Sequence, residues 1–227
     1  MKITWLGHSG FKIEIAGETL LIDPFLNGNP IFPEERKAEA VEGVTAILVS
    51  HGHGDHVGDA IDVAKAGGLP VYTMVELSGW LANQGVENVT GFNKGGTVAI
   101  GDVKVTMVHA THSSSAPDGS YAGGEAGFMI SGEGHTIYFS GDTDVMADMK
   151  VFHDLHEPDI GLLCSGGFYT MDMRRASYAA KTFFDFKTVI PCHYKTFPAL
   201  EQSAQEMIDA LPGVKVIEPE VLKAIEI

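Results

Sequence analysis

The 227-residue sequence is short of cysteine, of positive charge and of long apolar runs. Its two cysteines, Cys164 and Cys192, build no disulfide framework. Fifteen Lys and Arg stand against 30 Asp and Glu, a formal charge of −15. That excess argues against nucleic acid, whose binding rests on Lys and Arg neutralising phosphates, and against a basic helix lying on a membrane. No apolar run approaches the ~18 residues that a bilayer span requires. The first eight residues, Met1 to His8, turn polar too early for a signal-peptide core. No Pro/Ser-rich linker and no internal repeat divides the chain. The expectation is an acidic cytoplasmic protein built as one domain over residues 1–227.

What is present is a globular composition, 44% hydrophobic against 20% charged, which excludes a disordered tail or a coiled coil. The 27 glycines imply many tight turns. Short β-branched runs alternate with turn signals. Strands are expected at 2–6, 11–15, 19–22, 45–49 and 71–74, with helices at 58–66 and 76–83. The middle is strand-rich, at 97–100, 103–108, 127–131 and 136–140. The last third alternates: strand 160–163, helix 173–184, strand 188–191, helix 201–210 and strand 214–217. Each half thus supplies strands and then helices. That order suits an α/β arrangement of two sheets packed face to face with helices outside.

The decisive segment is Ser50-His51-Gly52-His53-Gly54-Asp55-His56. It follows an apolar strand and opens a helix, and strand C-terminal ends are where α/β proteins place their sites. Two glycines let the loop turn its imidazoles and carboxylate to one side. Neutral His nitrogens with a carboxylate suit Zn²⁺, and Mn²⁺ or Fe²⁺ accept similar sets. One loop cannot close two metal sites. Three later strand ends carry further candidates: His112, Asp142 and His193.

These residues resemble the signature of the metallo-β-lactamase superfamily, with Asp23 in Leu21-Ile22-Asp23-Pro24 similar to its first motif. The resemblance is closest to small bacterial metal-dependent hydrolases similar to ascorbate-phosphate lactonases. It is carried by Gly7-His8-Ser9, Ile22–Phe25, Asn29-Pro30, His112–Ser114, Gly141–Thr143 and Pro191–Pro198. Lys195 stands where that branch has Gly, and Leu163–Gly167 replaces its Pro-Ile-Gly-type run. The resemblance implies a four-layered αβ/βα sandwich with two divalent ions at one edge, zinc first. His51, His53 and His112 would hold one ion, and Asp55, His56 and His193 the other, with Asp142 bridging. Two M²⁺ less Asp55, Asp142 and a bridging hydroxide leave a charge of about +1, so an acidic protein can present a positive pocket. The hydroxide would attack a small ester-like, lactone or phosphoester substrate, with Asp55 able to move a proton. A homo-oligomer is also implied.

Other residues carry two readings each. Asp23 either orients a liganding His or caps a strand-end turn. His8 either reaches the pocket or is a satisfied core histidine. Residues 113–124, with Ser113 and Tyr121, form either a substrate-covering loop or a plain connection. Gly166 and Gly167 can present N–H groups to an anion, with Tyr194, Lys195 or Arg174 beside them. His109, within its strand end, reads as a strand residue rather than a fourth ligand, His135 as an exposed turn residue, His153 and His156 as a solvated helix face, and Cys192 as a small buried hydrophobe. A non-catalytic metal-binding or scaffold protein of the same fold is the competing function.

Overall fold

The computed structural model describes residues 1–227. The first sheet contains β1 (Lys2–Trp5), β2 (Phe11–Ile15), β3 (Glu18–Ile22), β4 (Ala46–Leu48), β5 (Val71–Met74) and β6 (Val89–Phe92). The second contains β7 (Thr97–Ile100), β8 (Val103–His109), β9 (Ala126–Gly132), β10 (His135–Phe139), β11 (Ile160–Cys164), β12 (Thr188–Cys192) and β13 (Lys215–Val216). The last strand, β14 (Ala224–Glu226), returns to pair with β1, so the sheet orders are β14-β1-β2-β3-β4-β5-β6 and β13-β12-β11-β10-β9-β8-β7.

Both sheets follow one plan. Antiparallel pairing through β1-β2-β3 gives way to parallel pairing through β4, β5 and β6. In the second sheet β7-β8-β9-β10 is antiparallel and β11 to β13 continue in parallel. Two antiparallel steps restore strand direction, so β1, β3 and β4 end at one edge of their sheet. By the same count β8, β10, β11 and β12 end at one edge of theirs. Every candidate metal ligand lies just beyond one of those ends.

The short helices are α1 (Lys37–Val41), α2 (Gly54–Val57), α3 (Ala60–Gly67), α4 (Val75–Asn83), α5 (Asp148–His156), α6 (Met173–Phe183) and α7 (Gln205–Ala210). Helix α4 packs on β5 and β6, while α6 packs on β11 between α5 and α7. The inner faces meet through aromatic contacts such as Phe11–Phe139, whose ring centroids are 6.2 Å apart. Phe92 of the first sheet likewise stacks on Phe128 of the second. Strands β11 and β12 are buried at every position, as parallel strands covered on both faces require. The result is an α/β sandwich of two mixed sheets flanked by helices.

Three features differ from the sequence expectations. The helix expected over 58–66 is α3, beginning at Ala60, and the one-turn α2 stands apart before it, because Gly58 between them takes φ 42° and lies against Pro24. A Cβ at Gly58 would sit 2.3 Å from the Pro24 carbonyl oxygen. The helix expected over 201–210 starts only at Gln205, since Glu201 instead donates to the Gly166 carbonyl and accepts from the Lys195 amide. Strands β6 and β14 and helix α1 are short peripheral elements with weak periodicity and were not anticipated.

Candidate metal centre

The loop after β4 carries His51 and His53 and runs into α2, which carries Asp55 and His56. Gly52 makes that loop possible: a Cβ there would lie 2.5 Å from the Ala122 Cβ and 2.8 Å from the Ser115 carbonyl oxygen. The segment following His112 therefore lies directly on the His-rich loop, and the Gly52 amide donates to Ser114 Oγ at 3.1 Å. His8, Asp23 and His193 all have positive φ, at 54°, 43° and 54°. Strain of this kind in buried non-glycine residues concentrates at functional sites. It is stabilised here by the His8 carbonyl, which accepts from both the Trp5 indole and the His193 amide at 2.8 Å.

Asp142 is the point of convergence. Its Oδ2 lies 3.1 Å from His193 Nε2, 3.3 Å from His56 Nε2 and 3.5 Å from His112 Nε2. Three groups of potential ligand atoms fall together: His51 with His53 and His112; His8 with Asp55, His56 and His193; and His51 with His56 and Asp142. Asp142 thus shares a group with one residue from each of the other two. His56 Nε2 and Asp142 Oδ1 are buried and lack a hydrogen-bond partner, which is costly unless a cation completes them.

The imidazoles are oriented from behind. Asp23, completely buried, accepts from His56 Nδ1 at 2.7 Å and from the Ser50 hydroxyl at 2.6 Å. Ser50 Oγ in turn lies 3.0 Å from His51 Nδ1. Both rings then carry their proton on Nδ1 and turn the Nε2 lone pair inward, the arrangement that metal-binding imidazoles use. His8 lies between Thr196 Oγ1 and Asp55 Oδ2, 2.9 Å from each. An ionised carboxylate only accepts, so His8 Nε2 is the donor to Asp55.

Charge balance points the same way. Burial alone would lower the pKa of His56, yet Asp142, Asp55 and Asp23 drive it well above the usual range. Burial also disfavours charge on His193, but Asp142 and Asp55 raise it to about 9. Burial would raise Asp142, and His193 and His56 instead hold it well below the carboxylate range. Without another cation, protons on His56 and His193 supply the positive charge. His51 and His8 are pushed the other way, His8 to about 4, chiefly by burial and by neighbouring histidines. The donor set fits divalent metal.

Residues 18–218 match the beta-lactamase superfamily domain. The chain is 63% identical over its full length, and that of the relative, to a UPF0173 metal-dependent hydrolase of Dinoroseobacter shibae. A metal-dependent hydrolase of Paracoccus denitrificans is 59% identical, with 99% of each chain covered. Among solved structures, the metallo hydrolase Igni18 from the archaeon Ignicoccus hospitalis superposes with a TM-score of 0.85 at 30% identity, covering 100% of this chain and 98% of that one. The chain belongs to the beta-lactamase superfamily. Within the superfamily it is an enzyme of the metal-dependent hydrolase class.

The other candidate residues divide. Ser113 Oγ lies 3.5 Å from His53 Nε2, at the margin of a hydrogen bond. Tyr121 projects from the same loop, 75% exposed, while Trp80 Nε1 donates to Asp118 and ties that loop to α4. Gly167 is not available to an anion, because its N–H donates to the Met171 carbonyl at 2.9 Å. Gly166 packs tightly beside His193: a Cβ there would sit 1.9 Å from the His193 carbonyl oxygen. Lys195 pairs with Glu218 and lies over the Tyr194 ring, and the buried Tyr194 stacks on Trp5, so neither joins the histidine cluster. Arg174 is exposed on α6. His109 faces Lys94, His135 pairs with Asp159 and His153 with Asp185. Ser50 and Thr196 were missed; only their places beside His51 and near His193 could have marked them.

Proposed function

We propose that the chain hydrolyses a small ester, lactone or phosphoester with two divalent metal ions, zinc foremost. The observation that carries this reading is the convergence of three imidazole Nε2 atoms on Asp142 Oδ2, with a separate three-histidine group beside it. His51, His53 and His112 would hold one ion, Asp55, His56 and His193 the second, and Asp142 both. Such ions, when bound, supply a water activated near neutral pH and positive charge for a developing oxyanion.

The chain's own residues supply position and proton traffic. Asp55 is the most open of the clustered carboxylates, with its side chain 34% exposed against 2% for Asp142. His8 occupies Asp55 Oδ2, which leaves Oδ1 as the atom able to accept a proton and pass it to a leaving group. The tautomers set by Asp23 and Ser50 hold the rings ready. The test is hydrolysis of a panel of lactones and aryl phosphodiesters by the full chain, with and without chelator. Chelator-sensitive turnover, reduced at least ~100-fold by Asp142→Asn, supports the reading. Turnover that survives verified metal removal contradicts it, and metal uptake with no turnover of any ester would favour a non-catalytic metal-binding protein.

A further inference from the structure

A concavity of about 300 Å³ lies where chain segments adjoining three of the proposed ligands come together. Its walls include the sequence neighbours of proposed ligands: Thr111 precedes His112, Thr143 follows Asp142, and Gly167 follows the glycine pressed on the His193 carbonyl. The polar side of this cavity is already satisfied. Arg175 Nη1 donates to both carboxylate oxygens of Asp144 at 2.6 Å. Thr143 Oγ1 accepts from the Thr111 amide at 3.0 Å and donates to the Asp144 carbonyl at 2.7 Å. With its one Arg neutralised, the cavity offers an anion little.

Its apolar side is not satisfied. Phe168 and Tyr169 line it edge to face, ring centroids 4.7 Å apart, and are 76% and 59% exposed. Phe168 holds φ 54°, a region that bulky side chains rarely adopt. The loop is pinned rather than slack: the Gly167 amide donates to the Met171 carbonyl at 2.9 Å, and the Met171 amide to that of Thr143 at 3.1 Å. A strained, hydrogen-bonded turn thus holds two aromatic rings in water, in the cavity that Thr111 and Thr143 also line. Outliers of this kind cluster at active sites and ligand clamps.

We propose that Phe168 and Tyr169 form the apolar wall of the substrate pocket, and that the substrate carries an aromatic or similarly flat apolar group next to the bond that is hydrolysed. This rests on the hydrolytic reading of the metal centre. Burying such a group against the two rings recovers apolar area now in water, with ring geometry adding to the area effect.

The test is calorimetric titration of the zinc-loaded full chain with phenylphosphonate and methylphosphonate, anions that share a metal-binding head and differ in the ring. Phenylphosphonate is expected to bind about tenfold more tightly. Phe168→Ala and Tyr169→Ala should each move that ratio towards one. Phe168→Gly removes the ring and the backbone strain together, so the ratio should fall while the melting temperature holds or rises. Equal affinities in the unaltered chain, or a ratio that the variants leave alone, would overturn the proposal. So would a melting temperature that falls with the ratio in Phe168→Gly, which marks a structural role. A change of oligomeric state in the variants, read by light scattering, would assign the rings to an interface between copies instead. Zinc uptake is measured first: a chain that takes up none overturns the metal-centre reading and this proposal with it, whereas a loaded chain without ring preference overturns this proposal alone.

Discussion

Nδ1 of His56 donates to Oδ2 of Asp23 across 2.7 Å, with both side chains fully buried. A carboxylate in that position would be costly if left alone. Burial does push its pKa up, while His56 and Ser50 pull it back. The same oxygen reaches His51 through the Ser50 hydroxyl. One carboxylate at the end of β3 therefore sets the tautomer of two imidazoles that arrive from β4 and α2.

Asp23→Asn tests that arrangement. The amide keeps the shape but presents an N–H to His56, which drives the ring proton from Nδ1 to Nε2 and removes the inward lone pair. Metal affinity is expected to fall about 10–100-fold in chelator competition. Affinity equal to that of the unaltered chain would show that Asp23 does not orient His56.

Gly166→Ala tests the packing behind the site. Its Cβ would meet the His193 carbonyl oxygen at 1.9 Å, so backbone must shift on one side or the other. The expected loss is about 1–3 kcal/mol, or several degrees of melting temperature, accompanied by weaker metal binding through His193. Unaltered stability would mean that β11 and β12 can separate freely at their ends.

The sandwich and the histidine cluster were legible in the sequence for the same reason. Apolar β-branched runs ending in His or Asp, such as Thr136–Ser140 before Asp142, mark a strand and its site residue together. Chain-local signals did not reveal what depends on distant contacts. Ser50 and Thr196 act only because Asp23 and His8 are brought to them. Gly167 reads as an open backbone donor until Met171 turns back to accept its N–H. The Lys195 charge looked close to the pocket because its sequence neighbour is near His193, yet Glu218 draws it away. Edge strands β6 and β14 pair at the margins of the sheet, where burial leaves little pattern to read.

Protons and metal compete for the same ligands, which fixes a pH signature. In the metal-free chain His193 has a pKa of about 9, above the ~6.5 of an unfolded histidine. Its contribution to stability is therefore fully present below pH ~6.5 and is lost as pH rises through about 9. The melting temperature of the metal-free chain should decline across that window, and that of the metal-loaded chain less so. Metal binding near pH 7 should also release protons, seen as a dependence of the calorimetric heat on the ionisation enthalpy of the buffer. Binding without proton release would contradict protonation of His56 and His193.

The number of metal ions per chain tests the central claim most directly, by elemental analysis of protein purified without added metal. The geometry around Asp142 predicts about two divalent ions per chain, removed by chelator and restored on adding zinc. One ion or none, not raised by added metal, would contradict a shared Asp142 between two sites.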